Sequence, residues 1–323
     1  MHSLKDMNDM RAALYDSYGP PDVLYVGRVP VPALQRGQVL VRVHAVSVNG
    51  GELHGRAGRV RLVTGRSFPQ RTGLDFAGEV AEVDPAITGL RPGDRVWGVL
   101  PRTFGSAADY VAVRPRNLAY APENIGLVEA ASLPAGTTAI TALRSKARLK
   151  AGERLLVRGG SGGIGSIAVQ LGKALGAHVT ALAGTKNLDF VRELGADEAH
   201  SYATTGPSDL GRFDVIMDTV GTELRSFRRL LAPGGRMVSI AFDIDRIAAS
   251  LGYVLASTAH GRGRVRFFSG NPKHDLLAEL TRLVESGAIR PVVDTVHPLA
   301  GIADAHRALE AGGVRGKHVI QVV

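Results

Sequence analysis

One glycine-rich segment, residues 154–184, constrains the fold more than any other part of the chain: RLLVRGGSGGIGSIAVQLGKALGAHVTALAG. Gly160, Gly162 and Gly165 form a G-x-G-x-x-G pattern directly after a strand-like run and directly before a helix-like run. In that context one glycine makes a tight turn, a second admits a pyrophosphate to backbone N–H groups, and a third lets the helix pack on the sheet. The helix N-terminus adds partial positive charge. The segment predicts a dinucleotide-binding βαβ unit rather than a merely flexible glycine loop.

The chain before this unit has a different pattern. Short apolar runs with a period of two occupy residues 39–49, 76–83 and 109–115, and they are broken by glycine and proline. Such alternation is typical of strands with one buried face. We therefore expect an antiparallel, barrel-like domain in this part of the chain.

Beyond residue 121 helical stretches alternate with compact β-branched runs. These runs lie at residues 155–159, 178–183, 213–220, 235–241 and 265–269. Strands that alternate with helices predict a doubly wound parallel sheet covered on both faces. The tail changes again, since strand-like residues 290–299 and 316–323 flank an amphipathic helix and fit the first domain better.

Length and order together predict two domains. The chain has 323 residues, and a single hydrophobic core stops growing beyond about 250–300 residues. We predict that residues 123–286 form the nucleotide domain, inserted into a discontinuous domain of residues 1–122 and 287–323. The site is then expected in the cleft between them.

Composition excludes several classes of chemistry. The chain contains no cysteine, which removes disulfides, thiolate nucleophiles and cysteine-ligated zinc. The net charge of +9 would suit nucleic acid, but the basic residues are spread along the whole chain without interleaved aromatics. No apolar run suits a bilayer span or a signal peptide, so a cytoplasmic protein is expected.

The end of the second predicted strand bears on the choice of dinucleotide. NAD-selective sites usually carry Asp or Glu there for the ribose hydroxyls, whereas this sequence reads Ala183, Gly184, Thr185 and Lys186. No carboxylate is present to repel a 2′-phosphate, and Lys186 can supply a positive charge. These residues favour NADPH, although an exposed lysine on a surface loop is also an ordinary observation.

Several motifs together resemble one known family. They are NGGELHGRAG, RTGLDFAGEVAEV, GDRVWG, AASLPAGTTAITAL, the glycine-rich segment and the ending GKHVIQVV. These motifs occur along the chain in the same order as in the medium-chain dehydrogenase/reductase superfamily, which the chain therefore resembles. The resemblance is closest to the zinc-free quinone oxidoreductase branch, which includes zeta-crystallin. The resemblance implies a Rossmann-type NADP(H) domain inserted in a GroES-like β-barrel catalytic domain, NADPH as cofactor and a homodimer.

The resemblance also implies that no zinc is bound. Zinc-dependent relatives carry Gly-His-Glu where this chain has Gly73, Leu74 and Asp75, so Leu74 replaces the ligand histidine. Only residues 99–106, without cysteine, occupy the interval where a structural zinc lobe would lie. Reduction of a polarised acceptor is then the expected chemistry.

Family cofactor contacts can be carried over where residues match. The turn itself would meet the pyrophosphate, Gly184 to Lys186 would meet the adenosine ribose and its phosphate, and the remaining residues would flank that phosphate or the nicotinamide. The resemblance assigns cofactor contacts to Thr138, Gly160, Ser161, Gly162, Gly163, Ile164, Gly165, Gly184, Thr185, Lys186, Tyr202, Ala241, Phe242, Phe268 and Ser269.

The first domain departs from the family pattern Asn-Pro-x-Asp/Glu-x-Tyr. Here Asn49 is kept, glycine replaces the proline, and His54 stands where a tyrosine that faces the substrate is common. His54 could donate a proton or a hydrogen bond to a developing enolate, because its unperturbed pKa is about 6.5. It could equally be an exposed loop histidine. Asn49 and His54 are the candidate catalytic residues.

The sequence therefore predicts an NADPH-dependent, zinc-independent enzyme that transfers hydride to a quinone or an α,β-unsaturated carbonyl. Two alternatives stay open at this point. An enoyl-thioester reductase of polyketide or lipid metabolism would share the fold and cofactor and differ in its pocket. A non-enzymatic, nucleotide-dependent scaffold or RNA-binding protein would account for the basic charge.

Overall fold

The computed structural model describes residues 8–100, 103–241, 265–268 and 272–323. The first 120 residues form most of a β-rich domain. Its strands are β1 (Asp9–Tyr15), β2 (Tyr25–Pro30), β3 (Val39–Ser47), β4 (Gln70–Arg71), β5 (Asp75–Val83), β6 (Arg95–Val99), β7 (Tyr110–Val113) and β8 (Leu118–Tyr120). Two short helices, α1 (Gly50–Arg56) and α2 (Arg61–Thr64), follow β3, and 3₁₀ turns lie at Pro21–Val23 and Pro115–Asn117.

The second part of the chain builds a six-stranded parallel sheet in the order β11-β10-β9-β12-β13-β14. The strands are β9 (Arg154–Arg158), β10 (His178–Ala183), β11 (Glu198–Ser201), β12 (Phe213–Asp218), β13 (Leu231–Ser239) and β14 (Val265–Phe267). The chain runs outward from β9 in one direction and then from β12 in the other. The boundary between β9 and β12 is therefore the switch point where ligands bind in such sheets.

Helices accompany this sheet. They are α3 (Leu127–Ala130), α4 (Thr137–Ile140), α5 (Gly163–Ala174), α6 (Leu188–Glu193), α7 (Leu224–Arg228) and α8 (His274–Glu285), with a π-helix at Thr141–Ala147 and 3₁₀ turns at Pro134–Gly136, Thr185–Asn187 and Pro207–Asp209. The predicted α/β fold class is confirmed: a doubly wound parallel sheet lies beside a β-rich domain. The predicted domain boundaries stay a prediction.

The tail returns to the first domain through β15 (Val293–Pro298), a 3₁₀ turn (Leu299–Gly301), α9 (Ile302–Ala311) and β16 (Lys317–Gln321). These strands extend the barrel sheet in the order β15-β16-β3-β5-β6-β8, and β7 also pairs with β3. The antiparallel pairing expected for the part of the chain before residue 121 is found there, whereas β15 and β16 of the tail are parallel. The helix between them makes the crossover that a parallel pair requires.

The two parts of the chain share one hydrophobic core. Trp97 and Val319 of the barrel lie in the same buried cluster as Leu155, Val157 and Ile167 of the nucleotide domain. Shared burial holds the barrel against the carboxyl ends of the parallel strands. None of the helices in the described ranges is long and apolar enough to cross a membrane.

Candidate active site

The glycine-rich turn joins β9 to α5. Gly159 has φ +74°, a left-handed conformation that glycine adopts without strain. A Cβ on Gly165 would lie only 2.0 Å from the Gly159 carbonyl oxygen, so the first turn of α5 needs a bare glycine to approach the strand end. A Cβ on Gly162 would meet only that same oxygen, at 3.6 Å. The backbone is therefore closely packed at Gly165, whereas space remains beside Gly162. A turn that binds a pyrophosphate requires this arrangement.

A buried ion pair lies directly beneath this turn. Arg158 ends β9, and its guanidinium lies 2.6 Å from the carboxylate of Asp218 at the end of β12. The guanidinium also lies over the ring of Phe227, 3.7 Å from its centroid. Asp218 accepts a second hydrogen bond from the Ser239 hydroxyl at 2.8 Å. Burial lowers the pKa of Arg158, and the nearby Asp218 opposes that shift. The pair fixes the ends of three neighbouring strands around the switch point.

The adenosine end of the predicted cofactor site is assembled from two separate segments. Gly184 and Tyr202 lie close together, since a Cβ on Gly184 would be 3.2 Å from the Tyr202 hydroxyl. Thr185 and Lys186 are exposed at the end of β10, and the Thr185 hydroxyl is 2.7 Å from that of Ser201. The structure thus brings the predicted ribose and phosphate contacts together at one edge of the sheet.

Arg315 joins this group and was missed by the sequence analysis. Its guanidinium donates to the Asn187 side-chain oxygen and to the Lys186 carbonyl oxygen, at 2.9 Å each. It is an exposed cation on the segment that precedes β16. The glycines at positions 312, 313 and 316 around Arg315 are typical of a turn. They do not indicate its partner, because Lys186 is 129 residues away along the chain.

The other predicted cofactor residues are distributed along the same edge. Thr138 is half-buried on α4, although its immediate neighbours on both sides are fully buried. Ile164 lies in the first turn of α5, while Ala241 and Phe268 follow β13 and β14 and are half-buried. Phe242 and Ser269 lie outside the described residues. Because β13 and β14 lie on the opposite side of β9 from β10, Ala241 and Phe268 are on the far side of the glycine-rich turn from Lys186.

Asn49 and His54 lie on or beside α1, which the sequence analysis treated in part as a loop. The interpretation of His54 as a loop histidine was wrong, since it lies in the last turn of α1 and is half-buried. Asn49 is the N-cap, and the Glu52 carboxylate accepts from its backbone N–H at 3.2 Å. This capping contact starts a helix at two glycines that would otherwise favour a loop.

Two buried carboxylates hold α1 against the barrel. Glu52 accepts hydrogen bonds from the Thr72 hydroxyl and the Gly73 backbone N–H, both at 2.9 Å. Asp75 accepts from the backbone N–H and the hydroxyl of Ser47, at 2.7 and 2.6 Å. Burial raises the pKa of Glu52 to about 7, with a further contribution from the nearby Asp75, while its hydrogen bonds oppose the shift. Helix α1, which carries His54, therefore packs on polar side chains that are fully buried.

The raised pKa of Glu52 predicts a pH-dependent contribution to stability. The pKa of Glu52 rises from 4.5 to about 7 on folding. The stabilisation that follows from this shift is therefore complete below pH 4.5 and is lost as pH rises through about 7. At about 1.36 kcal/mol per unit this amounts to roughly 3 kcal/mol. The free energy of unfolding of wild type minus that of Glu52→Gln should therefore fall by this amount between pH 4 and pH 8 in urea titrations. The exposed Glu193→Gln should give a flat difference, and a flat difference for Glu52 would contradict the assignment.

The position of the zinc ligand in related enzymes is apolar here. Leu74 is half-buried and packs against the shared core. Within the part of the chain that the structure describes, no cluster of three or more His, Cys, Asp or Glu side chains could hold a metal ion. An aliphatic side chain such as that of Leu74 provides no metal ligand at this position.

Comparison with known proteins places this arrangement in a family. Residues 35–123 match the alcohol dehydrogenase GroES-like domain, and residues 194–320 match the zinc-binding dehydrogenase domain. The chain belongs to the medium-chain dehydrogenase/reductase superfamily, and it is an oxidoreductase. The predicted superfamily and enzyme class are confirmed.

Relatives with printed activities cover nearly the whole chain. A 2-methylene-furan-3-one reductase of Solanum lycopersicum is 31% identical over 99% of this chain and 81% of that protein. The chloroplastic NADPH-dependent alkenal/one oxidoreductase of Arabidopsis thaliana is 32% identical over 97% of this chain and 79% of its own length. The structure of a quinone oxidoreductase from Coxiella burnetii superposes with a TM-score of 0.89 at 30% identity, covering 98% of this chain and 100% of that one.

Proposed function

We propose that the chain is an NADPH-dependent, zinc-independent reductase of α,β-unsaturated carbonyl compounds and quinones. The observation that carries the proposal is the open cradle at Gly162 with Lys186 and Arg315 at its adenosine end. The printed activities of the tomato, Arabidopsis and Coxiella relatives support the same substrate class. The cytoplasmic location expected from the sequence stays a prediction.

The residues around the turn fit a phosphorylated dinucleotide. The N-terminus of the twelve-residue helix α5 faces the open side of the turn with its backbone N–H groups, which suits a pyrophosphate. Lys186 and Arg315 stand at the end of β10, where residues 183–186 contain no carboxylate. Two cations, with no carboxylate at the end of β10, favour a 2′-phosphate over a free ribose hydroxyl.

NADPH supplies the hydride when bound, so the protein must orient the acceptor and meet the charge that develops on its oxygen. His54 is the residue we assign to that second task. It is half-buried on a helix whose base is fixed by Glu52 and Asp75, so its ring can be held in one orientation. Exclusion of water from a half-buried site strengthens any hydrogen bond that His54 makes there.

A panel of acceptors tests this function. NADPH oxidation should be measured with quinones, enones and enoyl thioesters, in the presence and absence of a chelator. We expect turnover with enones or quinones that a chelator leaves unchanged, and no stoichiometric zinc by elemental analysis. Turnover confined to enoyl thioesters would replace the proposed substrate class, and chelator-sensitive turnover would contradict zinc independence. RNA affinity that falls steeply with salt, without any turnover, would favour the binding protein instead.

We also propose that the protein forms a homodimer, as the family resemblance implies. In the described part of the sheet, β14 is the outermost strand, and Phe267 is exposed there. Closed two-fold dimers are the commonest assemblies of soluble oligomeric proteins. Light scattering at micromolar concentration tests this, and a monomeric mass would contradict it.

A further inference from the structure

Lys317, the first residue of β16, has a side chain that connects the cofactor turn to the His54 helix. The residue is 5% exposed. Its aliphatic stem lies on Gly163, the first residue of α5, since a Cβ there would be 2.6 Å from the lysine Cδ and Cε. Its ammonium donates to the Asn49 side-chain oxygen and lies 3.4 Å from the Val48 carbonyl oxygen. One buried side chain thus contacts both the start of α5 and the N-cap of α1.

The backbone around Lys317 is fixed on both sides. The Gly316 N–H donates to the Ser161 carbonyl oxygen at 2.7 Å, and Gly316 forms a parallel bridge with Gly162. On the other side, the Val48 N–H donates to the His318 carbonyl oxygen at 3.0 Å. The start of β16 is therefore attached to the glycine-rich turn and to the residue before Asn49, so the lysine stem has little freedom to move.

Lys317 determines which way the Asn49 amide points. An ammonium can only donate, so it must face the amide oxygen, and the amide NH₂ must then face acceptors. That NH₂ group lies 3.0 Å from Asp75 Oδ2 and 3.0 Å from Glu52 Oε1. Both ends of the amide are engaged inside the protein. The side chain of Asn49 is therefore suited to fixing α1 relative to Lys317, and it does not have a free N–H for a substrate oxygen.

The charges of this group are complementary. Two buried carboxylates, Glu52 and Asp75, face one buried ammonium through the amide of Asn49. Burial lowers the pKa of Lys317, while Asp75 and Glu52 act in the opposite direction. Removal of the ammonium would leave the buried Asp75 carboxylate without its nearby cation and the Asn49 oxygen without its donor.

We propose that Lys317 is a positioning residue for the reduction: it fixes Asn49 and so couples the cofactor turn to the helix that carries His54. This inference rests on the proposed function only in assuming that the reaction is the reduction proposed above. The coupling itself is a property of the protein and of NADPH binding. Binding of NADPH to the glycine-rich turn should therefore affect α1, and this effect should depend on the ammonium of Lys317.

The first test separates turnover from cofactor affinity. Lys317→Met keeps the stem on Gly163 and removes the ammonium, so kcat with the best enone should fall about ten- to a hundredfold while the Kd of NADPH changes less than about threefold. Lys317→Arg should recover part of the loss. Asn49→Leu should lower kcat similarly, and the double variant should be no worse than either single one. The exposed Lys150→Met is the matched control.

Three outcomes would overturn the proposal. Unchanged kcat in Lys317→Met would remove the positioning role. A weaker NADPH affinity with unchanged kcat would mean that the lysine serves only the cofactor. Losses in kcat that multiply in the double variant would show that Lys317 and Asn49 act independently.

The second test needs no turnover, so it stands even if every acceptor in the panel fails. Backbone hydrogen exchange should be measured with and without NADPH in wild type and Lys317→Met. In wild type, NADPH should slow exchange in the turn at Ser161 to Gly163 and also in α1. In the variant we expect protection of the turn alone. Equal NADPH-induced protection of α1 in both proteins would overturn the coupling.

Discussion

Replacement of Gly165 by alanine should lower the free energy of unfolding by about 3 kcal/mol, near the upper end for overpacking a tight contact. The added Cβ would lie 2.0 Å from the Gly159 carbonyl oxygen and 2.8 Å from its carbon. Backbone atoms on both sides of this contact belong to the strand and helix that define the turn, so neither can move without separating β9 from α5. Urea unfolding monitored by circular dichroism measures the loss.

Gly162→Ala is the matched control for this prediction. It makes the same chemical change three residues away, where the nearest atom to the added Cβ is the Gly159 oxygen at 3.6 Å. Its φ of −75° suits alanine, so stability should change by less than about 1 kcal/mol. NADPH affinity should nevertheless fall at least about tenfold, because the methyl group occupies the open side of the cradle. Equal stability losses in the two variants would contradict the assignment of one glycine to packing and the other to the ligand.

These two glycines show why the nucleotide domain could be predicted well from sequence. The turn, its flanking strand and its helix lie within residues 154–184, and each glycine role follows from local backbone geometry. The strand predicted at residues 178–183 coincides with β10, and the one predicted at 155–159 differs from β9 by one residue at each end. Local signals decide such elements because the contacts that stabilise them are close along the chain.

The base of the candidate active site could not be predicted in the same way. Lys317 and Asn49 are 268 residues apart, and Arg158 and Asp218 are 60 apart. A lysine at the start of a strand gives no indication of which buried oxygen it contacts. The spacing of Asn49 and Glu52 did carry a signal, since an N-cap followed three residues later by glutamate is typical of a helix start. That signal would have placed His54 on a helix.

Simultaneous replacement of Lys186 and Arg315 by alanine should weaken NADPH binding by at least about a hundredfold and NADH binding hardly at all. Each charge-assisted contact to a phosphate is worth about 1.5–3 kcal/mol, or about tenfold or more in affinity. Lys186→Ala alone should therefore lose about tenfold for NADPH. Arg315→Ala should lose a similar factor, because its guanidinium lies beside Lys186 and adds a second positive charge at the same end of the cradle. Titration of nicotinamide fluorescence with both cofactors measures these affinities.

The comparison with NADH is what makes the experiment decisive. A variant that merely loosened the end of β10 would weaken both cofactors alike, since both carry the same adenosine ribose and pyrophosphate. Lys150→Ala, which removes an exposed lysine from the turn before β9, controls for the loss of general positive charge. Lys186→Glu should exceed Lys186→Ala for NADPH by adding repulsion. Equal losses for the two cofactors, or a wild-type preference for NADH, would show that the 2′-phosphate does not bind between Lys186 and Arg315.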